Sequence, residues 1–195
     1  MARWPFQEGR VQALTAPDTS ATAATAKVMD LNHVAISVRD LDRSVEFYER
    51  GLGMRKTLVK PVGKDTWRLI RLPAPASAQS VFLQGEHRIG QIELVQWDFP
   101  PPEPSTPKRA GDPGVFALSF KVSKADIAPL YERLISMGAN CYDPPSYSWV
   151  ENYGEIGVFV CEDPDGNQLE FVSLPTMEEI QANRAALKST KGEIR

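Results

Sequence analysis

Two glutamates occupy matching places in the chain. Glu93 sits in Gln91-Ile92-Glu93-Leu94-Val95 and Glu170 in Gln168-Leu169-Glu170-Phe171-Val172, so the order Gln, aliphatic, Glu, apolar, Val occurs twice. Side chains alternate between the two faces of a strand. Ile92 and Leu94 therefore share one face and Glu93 takes the other, and Leu169 and Phe171 oppose Glu170 in the same way. A carboxylate among apolar neighbours is costly to bury without a partner. Either both glutamates face water from half-exposed strands, or they belong to a polar interior built twice. Repetition in matching contexts favours the second reading. Carboxylates so placed can take a proton from a substrate carbon, or hold a cationic or hydroxylated ligand.

The elements around them also repeat. Residues 33–38 alternate, with Val34, Ile36 and Val38 on one face and His33, Ala35 and Ser37 on the other, which predicts a strand. Asp40 and Asp42 are candidate N-caps for a helix carrying Val45, Tyr48 and Leu52, which Gly51 and Gly53 end. Residues 54–62, 67–72, 81–83 and 89–97 read as further strands. In the second half, residues 115–122 read as a strand. Residues 126–137 read as a helix with Ile127, Leu130, Tyr131 and Leu134 at helical spacing and Pro129 in its first turn. Residues 142–149 read as a loop or edge strand, and 156–161 and 168–173 as strands around the turn Asp163-Pro164-Asp165-Gly166-Asn167. Phe47-Tyr48-Glu49-Arg50 echoes Leu130-Tyr131-Glu132-Arg133. The pattern is β-α-β-β-β twice, an α+β duplication.

The expected organisation is an N-terminal arm over 1–29, a first module over 30–98, a Pro-rich linker over 99–114, a second module over 115–174 and a C-terminal helix over 175–195. The arm is rich in Ala, Thr and Pro, with Trp4 and Phe6 as its only large anchors. With 195 residues, 24% of them charged, and a net charge of −3, the chain is an ordinary globular one without a general attraction for nucleic acid or anionic membranes. No apolar run reaches the length of a membrane span. Cys141 and Cys161 fit neither a CxxC pair nor a disulfide framework, which points to a reducing cytoplasm while leaving a bond between them open. Gly-rich phosphate loops, nucleophile elbows and Cys-rich zinc patterns are absent.

His33 to Asp42, then Phe47-Tyr48 and Leu52-Gly53, closing on Asp163 to Glu170, resembles the vicinal oxygen chelate superfamily over residues 31–174. That group includes glyoxalase I, extradiol dioxygenases, epimerases and antibiotic-resistance proteins. The resemblance implies paired βαβββ modules curled into a cupped half-barrel, with metal ligands on the first and last strands of each. Carried over, the ligands fall on His33, Glu93 and Glu170. The fourth position, where the family has a histidine opening residues 115–122, falls on Ala117, which cannot bind a metal. His87 is then either a replacement ligand or a surface turn residue. Family members often pair modules between subunits, so the resemblance also admits a homodimer.

Three functions stay open on this reading. The first is a lyase or isomerase using Fe, Mn, Ni or Zn at His33, Glu93 and Glu170, with Glu93 or Glu170 moving a proton on a small oxygenated substrate, aromatic or not; a ring-cleaving dioxygenase is its variant. The second is a metal-free protein of the bleomycin-resistance type that sequesters a small molecule. The third is an accessory protein working through the arm and C-terminal helix. Trp67, Phe82, Trp97, Ala117, Ser119, Trp149 and Tyr153 are expected to wall the cup.

Overall fold

In the computed structural model, residues 28–63, 66–72, 76–87, 90–99 and 106–192 are described, apart from the side chains of residues 67, 68 and 188–192. The chain divides into Met1–Asp30 and Leu31–Arg195. Trp4 and Phe6 lie outside the described residues, as does most of the expected arm.

The first alternating stretch forms β1 (His33–Ser37). Asp40 caps α1 (Leu41–Glu46) by accepting the Arg43 N–H at 3.0 Å, satisfying one of the free amides of the first turn. The helix runs on as a π-helical turn (Phe47–Gly51), followed by β2 (Arg55–Pro61), a short α2 (Thr66–Leu69), β3 (Ser77–Gln84) and β4 (Gln91–Phe99). The second half gives β5 (Ala117–Val122), α3 (Ile127–Ser136), β6 (Ser146–Val150), β7 (Gly154–Glu162), β8 (Gln168–Ser173) and α4 (Met177–Gly192). The two four-stranded sheets have the same order, β1-β4-β3-β2 and β5-β8-β7-β6. In each, the first strand runs parallel to the fourth and the other pairs are antiparallel. The fold is α+β: two βαβββ modules, glyoxalase-like, each contributing an open four-stranded sheet of the cupped half-barrel kind, with no closed barrel among the described residues.

One expected strand is corrected. Residues 67–72 do not enter the sheet. The Thr66 N–H donates to Gly63 O at 2.8 Å and the Ile70 N–H to Thr66 O at 3.2 Å, closing a helical turn. Arg71 then takes a left-handed backbone, φ 57°, which reverses the chain. β3 returns directly onto β2, so the turn needs no place in the ladder.

Ile36, Tyr48, Leu83 and Leu94 of the first module join Ile127, Leu134, Phe159, Leu169 and Phe171 of the second in one hydrophobic core. Each such side chain contributes about 1.5–3 kcal/mol on burial, so both modules draw stability from the same core. Close packing joins the helices: a Cβ on Gly51 would lie 3.1 Å from Leu134 Cδ2, and Arg133 Nε donates to Gly51 O at 2.9 Å. Polar contacts finish the seam. Tyr48 donates to Asp163 Oδ2 at 3.1 Å, and Arg39 Nε meets Asp165 Oδ1 at 2.6 Å. Asp163 Oδ1 also accepts the Asp165 and Asn167 N–H groups, both at 2.9 Å, so the turn between β7 and β8 is braced before it meets α1.

Candidate active site and metal-binding face

The two ladders carry the same register at the glutamates. In the first module His33 is opposite Gln91 and Ala35 opposite Glu93. In the second, Ala117 is opposite Gln168 and Ser119 opposite Glu170. Ala117 is therefore the counterpart of His33, and Ser119 the counterpart of Ala35. Each glutamate obtains one partner from the adjacent parallel strand, at a different row in each module.

In the first module that partner is the imidazole. His33 Nε2 lies 3.3 Å from Glu93 Oε2, with the histidine side chain 36% exposed and the glutamate 13%. On the other side of the ring, Nδ1 is 2.7 Å from Asn32 Oδ1. In the tautomer whose Nδ1–H donates to that amide oxygen, the Nε2 lone pair faces the carboxylate, an arrangement suited to a cation between the two. Two donors about 2.1 Å from a common metal, at angles between octahedral and tetrahedral, stand roughly 3.0–3.4 Å apart. The donor pair thus fits half of a divalent-metal site as well as it fits a charge-assisted hydrogen bond.

Aromatic groups surround this pair. Phe82 is the register partner of Glu93 and meets the His33 ring edge-on, centroids 5.4 Å apart. Lys60 Nζ lies over Phe82, 5.2 Å from its centroid. Trp97, on the same face two rows on, donates its indole N–H to Ser37 Oγ at 3.1 Å.

In the second module Ser119 Oγ donates to Glu170 Oε2 at 2.6 Å. Further along this face Glu162, opposite Gln168, anchors a polar cluster. Its carboxylate accepts from Asn140 Nδ2 at 3.0 Å and from the Tyr142 hydroxyl at 2.8 Å, and pairs with Arg109 at 2.9 Å. The Asn140 amide, followed by Tyr142 and Arg109, holds the Glu162 carboxyl below its ordinary range against the opposing effect of burial. Gln168 Nε2 completes the cluster by donating to the Tyr142 oxygen at 2.8 Å.

The expected three-donor set does not converge within one chain. Among the described residues no group of three or more His, Cys, Asp or Glu side chains is arranged to hold a metal. The reason is topological. The helix-facing sides of both sheets enter the shared core, so the faces carrying His33 with Glu93, and Ser119 with Glu170, both look away from it. Two grooves of about 670 and about 820 Å³ run between the modules, and neither is lined by His33, Glu93 or Glu170.

The expected wall divides similarly. Phe82 and Trp97 share the Glu93 face, and Ala117 and Ser119 the Glu170 face. Trp149 does not share it: Tyr147, of the same parity, lies over Gly157, where a Cβ would be 2.9 Å from its ring. Trp149 instead borders a pocket of about 180 Å³ with Lys124, Glu155 and Pro175. Tyr153 stands in the turn before β7, its carbonyl accepting from Asn183. The Trp67 side chain lies outside the described ones, its backbone being in α2. His87 is exposed in the turn after β3. Sequence reasoning missed Asn32, whose only signal was its position before His33, and the cluster at Glu162, since Arg109 comes from a stretch read as linker by composition alone.

The model of the Glyoxalase/Bleomycin resistance protein/Dioxygenase superfamily matches residues 30–171. The chain belongs to that superfamily. A 2-epi-5-epi-valiolone epimerase from Actinomyces sp. is 30% identical over 152 residues, 74% of this chain and 79% of the relative. Among solved structures, a glyoxalase family protein from Bacillus cereus is 19% identical with a TM-score of 0.67, covering 78% of this chain and 99% of that one. A glyoxylase/bleomycin resistance protein/dioxygenase domain from Frankia sp. EAN1pec is 24% identical with a TM-score of 0.55, covering 80% and 99%. These two establish the fold. Among the described residues no helix is long and apolar enough to cross a membrane.

Proposed function

We propose that the protein is an epimerase that moves a proton at a carbon beside a carbonyl in a small polyhydroxylated ketone. The observation that carries this reading is the His33 Nε2 to Glu93 Oε2 approach of 3.3 Å, with Nδ1 fixed by Asn32. Isomerase chemistry, with 2-epi-5-epi-valiolone as substrate, is also what the name of the epimerase relative describes.

His33 and Glu93 would hold a divalent cation, with Glu170 as third ligand or as base. When bound, that cation supplies positive charge beside the substrate carbonyl and so acidifies the neighbouring C–H. Glu170, with Oε2 held by Ser119, presents its other carboxylate oxygen to the substrate and takes the proton. Phe82 and Trp97 cover the site and exclude water. Because the two glutamate faces look away from a shared core, a second copy is required to set Glu170 opposite His33 and Glu93. The exposed edge strand β2, with Leu58 48% and Val59 62% exposed, offers that copy apolar surface.

Deuterium wash-in tests the reading. Protein loaded with Mn, Fe, Ni or Zn and incubated in heavy water with a panel of cyclic polyhydroxyketones should place deuterium at the carbon beside the carbonyl. Both His33→Ala and Glu170→Gln should abolish the signal. Tight binding of a panel member without exchange would overturn it in favour of a sequestering protein, the reading that Ala117 in place of a fourth ligand favours.

A further inference from the structure

We propose that Cys141 and Cys161 are a reversible redox site, closing to an intramolecular disulfide in the folded chain. The two residues face each other across an isolated antiparallel bridge. The Tyr142 N–H donates to Val160 O and the Glu162 N–H to Asn140 O, both at 3.0 Å. These bonds flank the cysteines on both sides, so the pair occupies the non-hydrogen-bonded kind of antiparallel position. There the Cα atoms stand about 4.5 Å apart and the side chains are at their closest, inside the range of roughly 4.4–6.8 Å that a disulfide spans. The bond needs no backbone movement. Both thiols are free in this structure, Cys161 fully buried and Cys141 half-buried.

The asymmetry sets the order of events. Cys141 is the thiol that a small oxidant reaches. With a peroxide, the Cys141 sulfur attacks one oxygen, the O–O bond breaks, and a sulfenic acid forms as the other oxygen leaves as hydroxide and is protonated to water, or to an alcohol for an organic peroxide. Cys161 sulfur then attacks Cys141 sulfur, the S–O bond breaks, and the departing hydroxide takes the Cys161 proton as water. Two thiols lose two electrons and two protons to one peroxide. A dithiol reductant reverses the reaction by exchange. Burial raises both thiols above their ordinary range, so closure is slow and a closed bond is sheltered from reductant.

The bond bears on the face that carries Glu170. The residue after Cys141 is Tyr142, whose hydroxyl bridges Glu162 and Gln168. In the reduced chain, two backbone hydrogen bonds hold that bridge to β7; oxidation would tie it covalently.

Folded, full-length protein is treated with hydrogen peroxide or with diamide, remaining thiols are alkylated, and peptides are mapped by mass spectrometry. The expected product links the Cys141 and Cys161 peptides within one chain, with the loss of two hydrogens and no alkylation at either cysteine. Its melting temperature should rise by several degrees, as closing a loop of this length predicts, and return with dithiothreitol. Cys141→Ser, a change at a half-exposed position, should fold and show no shift with oxidant. Both cysteines alkylated after oxidation, a bond only between chains, or an oxidised form that melts no higher than the reduced one would each overturn the proposal.

Discussion

The Tyr48 hydroxyl of the first module donates to the buried Asp163 carboxylate of the second at 3.1 Å, a bond between residues 115 positions apart. Tyr48→Phe removes one buried hydrogen bond, leaves Asp163 its turn contacts, and is expected to lower stability by about 1–3 kcal/mol. Urea unfolding measures the change.

The same pair sets an alkaline limit. Burial first, and the Asp163 charge second, push the Tyr48 phenol well above its ordinary value of 10.0. Below that pH the phenol is protonated in both states and its contribution is fully present. Above it the unfolded chain ionises while the folded chain does not, so stability falls as pH rises toward the folded value. Melting curves through this range should fall less steeply for Tyr48→Phe than for the wild type; parallel slopes would remove Tyr48 from the explanation.

At the acid end the sign reverses. The Glu162 carboxyl is held below its ordinary 4.5, chiefly by Asn140. Its contribution is complete above 4.5 and is lost as pH falls through the lower, folded value. Glu162→Gln should flatten the fall in melting temperature as pH drops below about 4.5.

Metal affinity should depend on a residue that does not touch the metal. Asn32 Oδ1 lies 2.7 Å from His33 Nδ1 and so favours the ring orientation that turns Nε2 toward Glu93. Asn32→Ala is expected to weaken divalent-metal binding about 10–100-fold, read by calorimetric titration, while His33→Ala abolishes it. Equal binding by all three proteins would place the metal elsewhere.

The proposed sharing of the site between copies can be tested by complementation. His33→Ala and Glu170→Gln chains are each expected to be inactive. Refolded together, every mixed dimer would carry one site with neither change, and deuterium exchange should return. Mixed dimers that form without activity would place the whole site in one chain.

Much of this was legible in the residues themselves. Alternation at 33–38, the twin Gln-x-Glu-x-Val segments and the Asp-Pro-Asp-Gly-Asn turn are local signals, because a strand's facing is fixed by its own period of two. They sufficed to read the duplicated α+β fold and to match Ala117 with His33, a correspondence present in the ladder register. Residues 67–72 were misread because their apolar pattern suits a strand, while the turn closed by Thr66 and Gly63 satisfies its own amides.

By itself, then, the sequence determined which residues of β1, β4, β5 and β8 share a face. The tertiary structure alone decided where those faces point. One core draws the helix side of both sheets together, and contacts between distant residues, Tyr48 with Asp163 and Arg39 with Asp165, lock that arrangement. The two carboxylate faces are thereby turned apart, His33 meets Glu93 and not Glu170, and Arg109 reaches Glu162 from the linker. Local periodicity carries no information about such orientations, which depend on burying apolar surface contributed by both halves at once.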